Sequence, residues 1–228
     1  MNNPYFAKYV AIIGDIVDSR RLPERQTVQN RLKEVLAGIN KKYAGDIASR
    51  FAITLGDEFQ GLLNSRRNII CIINDIETAM IPVGLRFGIG IGDISTEVVL
   101  DSPSEIDGSA YHRARKMINT MKHRKNRYTK VKSGIMICTG EAYPELDELL
   151  NSMFAVCAAL RSKWSDRQRE MIQAYLANEE NQYKAAKALG IGQPSVNKSL
   201  ANARFYAYRS AMNAINSFLG SERAERRV

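Results

Sequence analysis

The N-terminal half of the chain alternates between the apolar period of strands and that of helices, and this order restricts the fold more than any other feature. Four segments have strand patterns, either a continuous apolar run or an alternation of apolar and polar residues. They are 8–14, 47–55, 58–63 and 85–91. Between them, 23–43 and 69–80 place apolar residues three or four positions apart, as in an amphipathic helix. The pair Gly56-Asp57 predicts a turn that joins the middle two strands into a hairpin.

The resulting order, β-α-β-β-α-β, is that of a ferredoxin-like split βαβ sheet. A basic helix over 108–121 and a short strand over 134–139 follow it, and the pattern after Glu141 is entirely helical. We therefore predict an α+β protein in two parts. Residues 1–140 would form a ferredoxin-like, palm-type sheet with its helices on one face, and residues 141–228 an all-α domain.

Composition places the chain among globular proteins. Its 228 residues are 45% hydrophobic and 25% charged, close to the globular average. No apolar run approaches the ~18 residues of a membrane span, and the N-terminus lacks the pattern of a signal peptide. Cys71, Cys138 and Cys157 lie far apart among apolar residues. We therefore predict buried thiols in a reducing cytoplasm and no membrane partner.

The net charge of +9 is concentrated in two stretches. Residues 111–132 hold nine basic and no acidic residues, and residues 161–228 hold twelve basic against six acidic residues. Such asymmetry predicts a polyanionic partner whose phosphates the basic residues neutralise. A solvated basic face is the alternative for each stretch.

Acidic residues stand at the ends of two apolar strands. Asp15 directly follows the first predicted strand, and Asp57 lies at the hairpin tip beside Glu58. In a split βαβ sheet the first strand lies about 4.8 Å from the strand that returns from this hairpin. The two aspartates would then converge on divalent cations, and Mg²⁺ suits carboxylate ligands shared with substrate phosphates. Alternatively, each aspartate only stabilises a Gly-Asp turn.

Four segments resemble, in order, the motifs of class III nucleotidyl cyclases. Segment 14–19 (GDIVDS) resembles their Asp-Ile-x-x-Ser opening, and 55–59 (LGDEF) resembles their hairpin and the Gly-Asp-Glu-Phe part of diguanylate cyclases. Segment 86–92 (RFGIGIG) is similar to a cyclase strand, and 108–115 (GSAYHRAR) to a cyclase helix. As a whole, the chain resembles the SatD family of bacterial proteins from Tyr9 to near the C-terminus.

The cyclase resemblance implies catalytic carboxylates at Asp15 and Asp57, which would bind Mg²⁺, and at Glu58 beside them. It also implies that backbone N–H groups after the first strand hold a triphosphate. These are the N–H groups of Ile16, Val17, Asp18 and Ser19.

The sequence departs from the cyclase pattern at the residues that act on the nucleotide. His112 stands where cyclases place an asparagine, and Lys116 stands where they place an arginine. An interface histidine without a catalytic role is the alternative for His112. The side chains left to contact a nucleotide are His112, Arg113, Arg115 and Lys116.

The C-terminal quarter has the pattern of a helix-turn-helix. Trp164 and Ser165 begin a helix, with Ser165 as its N-cap. An Ala-rich helix ends at Gly190, and a second helix begins at Gln193 and is expected to continue to Leu219. A helical hairpin that does not contact DNA is the alternative. The side chains that would reach bases or phosphates are Gln193, Ser195, Asn197 and Lys198.

These patterns lead to three hypotheses. The leading one is a cytoplasmic DNA-binding regulator whose degenerate cyclase-like palm binds a nucleoside triphosphate or nucleotide signal with Mg²⁺. The second is an active nucleotidyl cyclase or nucleotide polymerase that releases pyrophosphate and is localised by the helix-turn-helix. The third is a palm that serves only as a dimerisation scaffold. An apolar stripe from Ala207 to Phe218 predicts either core or the seam of a homodimer.

Overall fold

A computed structural model describes residues 9–22, 24–123 and 133–221. Its strands are β1 (Tyr9–Ile16), β2 (Ile47–Leu55), β3 (Glu58–Leu63), β4 (Leu85–Gly92) and β5 (Ile135–Cys138). Its α-helices are α1 (Arg25–Lys42), α2 (Ile69–Met80), α3 (Ser109–His123), α4 (Pro144–Arg161), α5 (Asp166–Ala177), α6 (Gln182–Leu189), α7 (Gln193–Asn202) and α8 (Phe205–Leu219). Short 3-10 turns lie at Ser19–Arg21, Ala44–Asp46 and Pro103–Glu105.

The protein is α+β, with one mixed sheet in the order β2-β3-β1-β4-β5. The central strand β1 is antiparallel to both β3 and β4, and β2 is antiparallel to β3. The edge strand β5 runs parallel to β4. The predicted strands and helices of this half are confirmed, with changes at some of their ends.

The first strand is longer at its C-terminal end than the sequence predicted. Asp15 lies inside β1 and not after it, because β1 stays paired to both neighbours up to this point. Asp15 is opposite Glu58 on β3 and Arg86 on β4, and Ile16 is opposite Leu85. Lys8, the first residue of the predicted strand, lies outside the described residues.

Helices cover both faces of the sheet, so the prediction that they lie on one face is wrong. Val10 and Ile12 of β1 belong to the core cluster that also contains residues of α1, α2 and α4. Ala11 and Ile13 point to the opposite face and belong to a second cluster with α3. A strand that is apolar on both sides must be covered on both sides.

Glycines in β4 allow α3 to lie unusually close to the sheet. A Cβ atom at Gly88 would lie 2.2 Å from the carbonyl oxygen of Ala114, and one at Gly90 would lie 2.0 Å from that of Ala110. At Gly92 the nearest backbone atom would be the nitrogen of Ala110, at 2.6 Å. These are contacts with helix backbone, which cannot rotate aside. The alternation of RFGIGIG therefore sets the height of α3 above β4.

The helices after residue 140 pack onto the sheet half through paired hydrogen bonds. Asn151 of α4 accepts from the N–H of Ile137 in β5 at 2.8 Å and donates to its carbonyl at 2.9 Å. Asn216 of α8 accepts from the N–H of Ile70 at 3.1 Å and donates to the carbonyl of Arg67 at 2.7 Å. The division at residue 140 stays a prediction, and α4 contributes to the same core cluster as the sheet.

The second helix of the C-terminal quarter stops earlier than predicted. It ends at Asn202, Arg204 adopts a left-handed conformation with φ 54°, and α8 begins at Phe205. Trp164 holds this junction, because its indole N–H donates to the carbonyl of Ala203 at 2.7 Å. The expectation of one helix to Leu219 is therefore wrong. The apolar period continues through the junction, but the Ala203 carbonyl accepts from the buried Trp164 indole and the backbone turns at Arg204.

The apolar stripe predicted on α8 lies mostly on its outer side. Ala207, Ala214 and Phe218 of this stripe are exposed and Ala211 is half-buried, whereas Ile215 is buried in the core. The stripe is thus core only at Ile215 and Ala211, and the use of its exposed members as a dimer seam stays a prediction.

Burial differs among the three cysteines. Cys157 is buried, whereas Cys71 and Cys138 are half-buried, and all three are free thiols. Burial raises the pKa of each thiol, which disfavours the reactive thiolate. No α-helix in the described ranges is both long and apolar enough to cross a bilayer.

The predicted N-cap of α5 provides a stability test. Ser165 Oγ accepts from the backbone N–H of Gln168, and the Gln168 side chain accepts from the N–H of Ser165. We expect Ser165→Ala to lower the free energy of unfolding by about 1 kcal/mol, because the N–H of Gln168 loses its ordered acceptor, Ser165 Oγ. Urea denaturation measures this change. Ser210→Ala, on the exposed side of α8, is the control and should change stability by less than about 0.5 kcal/mol.

Candidate functional site

Three charged side chains form a row across the sheet on the face that α3 covers. Glu58, Asp15 and Arg86 are direct partners on β3, β1 and β4. Because opposite residues in paired strands point to the same side, all three side chains lie on one face. Arg86 Nε lies 3.6 Å from Asp15 Oδ1.

Two cations from α3 complete this group, which we call the acidic row cluster: Asp15, Glu58, Arg86, Arg115 and Lys122. Lys122 Nζ forms an ion pair with Asp15 Oδ2, and Arg115 Nη1 forms one with Glu58 Oε2. The Asp15 and Glu58 side chains are only 4% and 13% exposed, whereas those of Lys122 and Arg115 are 37% and 41% exposed. Two buried carboxylates therefore lie beneath a partly exposed rim of three cations.

The structure brings Glu58, rather than Asp57, opposite Asp15. Asp57 lies in the tight turn after Gly56, which has φ 61°. Its backbone carbonyl accepts from the N–H of Ile16 at 3.3 Å. The sequence pattern located the hairpin correctly but did not determine which acid faces Asp15. The role of Asp57 in metal binding stays a prediction.

The predicted phosphate cradle after the first strand is largely occupied by backbone hydrogen bonds. The N–H of Ile16 donates to the carbonyl of Asp57, and that of Val17 donates to the carbonyl of Gly84 at 2.9 Å. Asp18 is left-handed, with φ 52°, and Ser19 begins a single 3-10 turn. Two of the four N–H groups thus hold the sheet end together.

The predicted nucleotide-contacting residues of α3 point in different directions. His112 is exposed, and its Nε2 lies 2.8 Å from Asp107. Arg113 donates to the carbonyl of Ile91 at 2.6 Å, and Lys116 is exposed. At 1.5 Å per residue, His112 lies about 15 Å along the helix from Lys122. Of the four, Arg115 reaches the acidic row cluster.

The second candidate site is the pair of helices α6 and α7, the segment predicted as a helix-turn-helix, which packs with α5. Gly190, with φ 65°, ends α6 and permits the tight turn. Val196 and Leu200 are fully buried, which fixes the inner face of α7. Its other side is exposed to solvent.

The four predicted DNA-contacting residues differ in their availability. Ser195 and Lys198 are exposed at the start of α7. Gln193 is half-buried and donates to Gln182 Oε1 at 2.5 Å, and Asn197 Oδ1 accepts from Gln182 Nε2 at 3.3 Å. Gln182 of α6 therefore holds two of the four side chains in place.

Comparison with known proteins now identifies the family, since the family model for SatD proteins matches residues 9–218. The chain belongs to the SatD family. A comparison with curated proteins finds no match. Among solved structures, the crystal structure of a regulator of polyketide synthase expression from Bifidobacterium adolescentis is 14% identical. That match covers 92% of this chain and 85% of that chain, with a TM-score of 0.29, which is too low to support an inference.

The acidic row cluster of this SatD protein does not fit the Mg²⁺ that the cyclase resemblance implies. Lys122 and Arg115 already neutralise the two carboxylates, and Arg86 adds a third positive charge. A divalent ion would enter a site whose formal charge is already positive, where like charges repel. In the described ranges, no group of three or more His, Cys, Asp or Glu side chains could hold a metal.

Sequence reasoning missed Arg86 and Lys122 as partners of Asp15 in this SatD protein. The spacing of residues in the sequence contained a signal for each of them. Arg86 shares the two-residue period of the β4 glycines and so lies on the face of α3. Lys122 follows Ala114 and Ile118 at intervals of four, and both of these residues lie over Gly88.

Proposed function

We propose that this SatD family member is a DNA-binding regulator that places α7 in the major groove. The observation that carries the proposal is the start of α7, where Ser195 and Lys198 are exposed opposite the buried Val196 and Leu200. In helix-turn-helix proteins the first residues of the second helix contact base edges.

The charge distribution supports the same assignment. Residues 161–228 hold twelve basic and six acidic residues, and Lys187 on α6 is exposed as well. Phosphate neutralisation by such residues provides most of the nonspecific affinity for DNA. A homodimer would present two α7 helices to two half-sites, and the exposed members of the α8 stripe, Ala207, Ala214 and Phe218, are available for such contact.

The experiment first selects DNA fragments from a random pool and then compares variants by fluorescence anisotropy. Lys198→Ala should weaken binding about 10-fold and lower the salt slope by about one, and adding Ser195→Ala should weaken it further. Lys33→Ala removes the same charge from an exposed position of α1, outside both basic stretches, and is the matched control. Equal affinity of the α7 variants and the wild type would refute the proposal.

We also propose that the sheet half is a ferredoxin-like, cyclase-like palm that binds the phosphates of a nucleotide. The strand order, with β1 between β3 and β4, supports the palm assignment. The three partly exposed cations above two buried carboxylates support an anionic ligand. Thermal protection by each nucleoside triphosphate, with and without Mg²⁺, tests this part. Arg115→Met should reduce the protection, whereas Lys116→Met should not.

The enzymatic alternative remains distinguishable by experiment. An active cyclase or polymerase would release pyrophosphate from a nucleoside triphosphate, and Asp15→Ala would abolish that release. The pairing of His112 with Asp107, about 15 Å along α3 from Lys122, favours the regulator. A palm that is only a scaffold would bind no nucleotide, and Asp15→Ala would leave DNA binding unchanged.

A further inference from the structure

Asp15 is the most deeply buried charge of the acidic row cluster, at 4% side-chain exposure. A buried carboxylate without a counterion is strongly unfavourable, so the folded state requires a cation beside Asp15. Oδ2 is paired with Lys122, whereas Oδ1 is buried and accepts no hydrogen bond from the described residues. Lys122 therefore provides the direct neutralising contact.

The position of Lys122 is set by the packing of α3 and not by a flexible surface contact. Ala114, Ile118 and Lys122 follow each other at intervals of four and so share one side of the helix. Ala114 and Ile118 lie directly over Gly88, where the absence of a side chain brings α3 down to β4. Lys122, four residues after Ile118, therefore reaches the end of β1, where it forms an ion pair with Asp15.

We propose that the Lys122 ammonium is a built-in cation that occupies the place of a divalent metal at Asp15. A phosphate-bearing ligand would then bind directly to the ammonium and the two guanidinium groups of the cluster, without a bridging metal. This inference deepens the nucleotide-binding part of the proposed function and names its ligand chemistry.

The charges of the cluster account for the exclusion of metal. Asp15 and Glu58 carry two negative charges, and Arg86, Arg115 and Lys122 carry three positive charges. Removal of the ammonium would leave the cluster neutral and would free Asp15 Oδ2, while Arg86 Nε would stay 3.6 Å from Oδ1. A divalent ion would then gain a hard carboxylate ligand and lose its nearest repelling charge.

The test measures binding of Mn²⁺ alone, by the electron paramagnetic resonance signal of the free ion, to the full chain without nucleotide. The wild type should bind no Mn²⁺ at this site. Lys122→Met, which keeps an unbranched side chain only one atom shorter, should bind Mn²⁺ at least about 10-fold more tightly than the wild type. Lys116→Met removes the same charge from an exposed position of α3 and should behave like the wild type.

A thermal melt provides the second readout, because a ligand that binds only the folded state raises Tm. Mn²⁺ should raise the Tm of Lys122→Met but not that of the wild type or of Lys122→Met combined with Asp15→Asn. In the double variant neither residue 15 nor residue 122 is charged, so no buried carboxylate is left unpaired and the protein should fold. Its failure to bind Mn²⁺ would then reflect the missing carboxylate and not unfolding.

Two results would overturn the inference. One is stoichiometric Mn²⁺ binding by the wild type that Asp15→Asn abolishes. The other is a Lys122→Met variant that folds but binds Mn²⁺ no better than the wild type, which would mean that Lys122 does not stand in for a metal. Because no nucleotide is present, failure of nucleotide binding would leave these results unaffected.

Discussion

Gly90→Ala should destabilise the protein by about 3 kcal/mol, a large part of the stability of a domain of this size. The added Cβ would lie 2.0 Å from the carbonyl oxygen of Ala110 and 2.5 Å from the nitrogen of Ala114. Both atoms belong to the backbone of α3, so the helix must rise from β4. Urea denaturation followed by circular dichroism measures the loss.

Gly38→Ala is the matched control for this substitution. Gly38 lies inside α1, is exposed, and has no atom within 4 Å of an added Cβ. Alanine is a better helix former than glycine, so this variant should gain about 1 kcal/mol. The same chemical change should therefore have opposite signs at the two positions. Equal stability of Gly90→Ala and the wild type would contradict the close packing of α3.

Arg161→Met should lower the free energy of unfolding by about 3 kcal/mol, because it leaves Glu77 buried without its cation. Arg161 of α4 forms an ion pair with Glu77 of α2, and both side chains are mostly buried. Burial and the nearby Glu77 carboxylate raise the pKa of Tyr208 on α8 to about 12. Helices α2, α4 and α8, which are distant in sequence, thus meet at the ion pair of Arg161 and Glu77.

A double variant and a surface pair provide the controls for this prediction. Arg161→Met combined with Glu77→Gln should recover much of the stability, because no buried charge is then left alone. Arg167 and Glu170 of α5 form an ion pair whose side chains are half-exposed. Arg167→Met should therefore change stability by at most about 1 kcal/mol. A loss as large as that of Arg161→Met would show that burial does not determine the effect.

The two halves of the proposed function depend on different features. DNA binding rests on a face of α7 that is presented by local packing of α6 and α7. Anion binding rests on charges from β1, β3, β4 and α3 that meet only in the folded sheet. The DNA and Mn²⁺ experiments therefore succeed or fail independently of each other.

Local sequence determined much of the secondary structure. The hairpin around Gly56, the cap at Ser165 and the turn at Gly190 were all predicted and are present. Each depends on interactions within a few residues, such as a capping hydrogen bond or a left-handed glycine. Periodicity and turn chemistry are therefore enough to place them.

Tertiary structure alone decided which charges meet. The register of β1 and β3 places Glu58, and not Asp57, opposite Asp15, and a shift of one residue would have reversed the choice. The packing height of α3 over the β4 glycines brings Lys122, more than a hundred positions along the chain, to the same carboxylate. Periodicity assigns a residue to a face of its own element, but its partner depends on how separate elements align and approach. For this reason the sequence revealed the acids, and the fold revealed the cations that neutralise them.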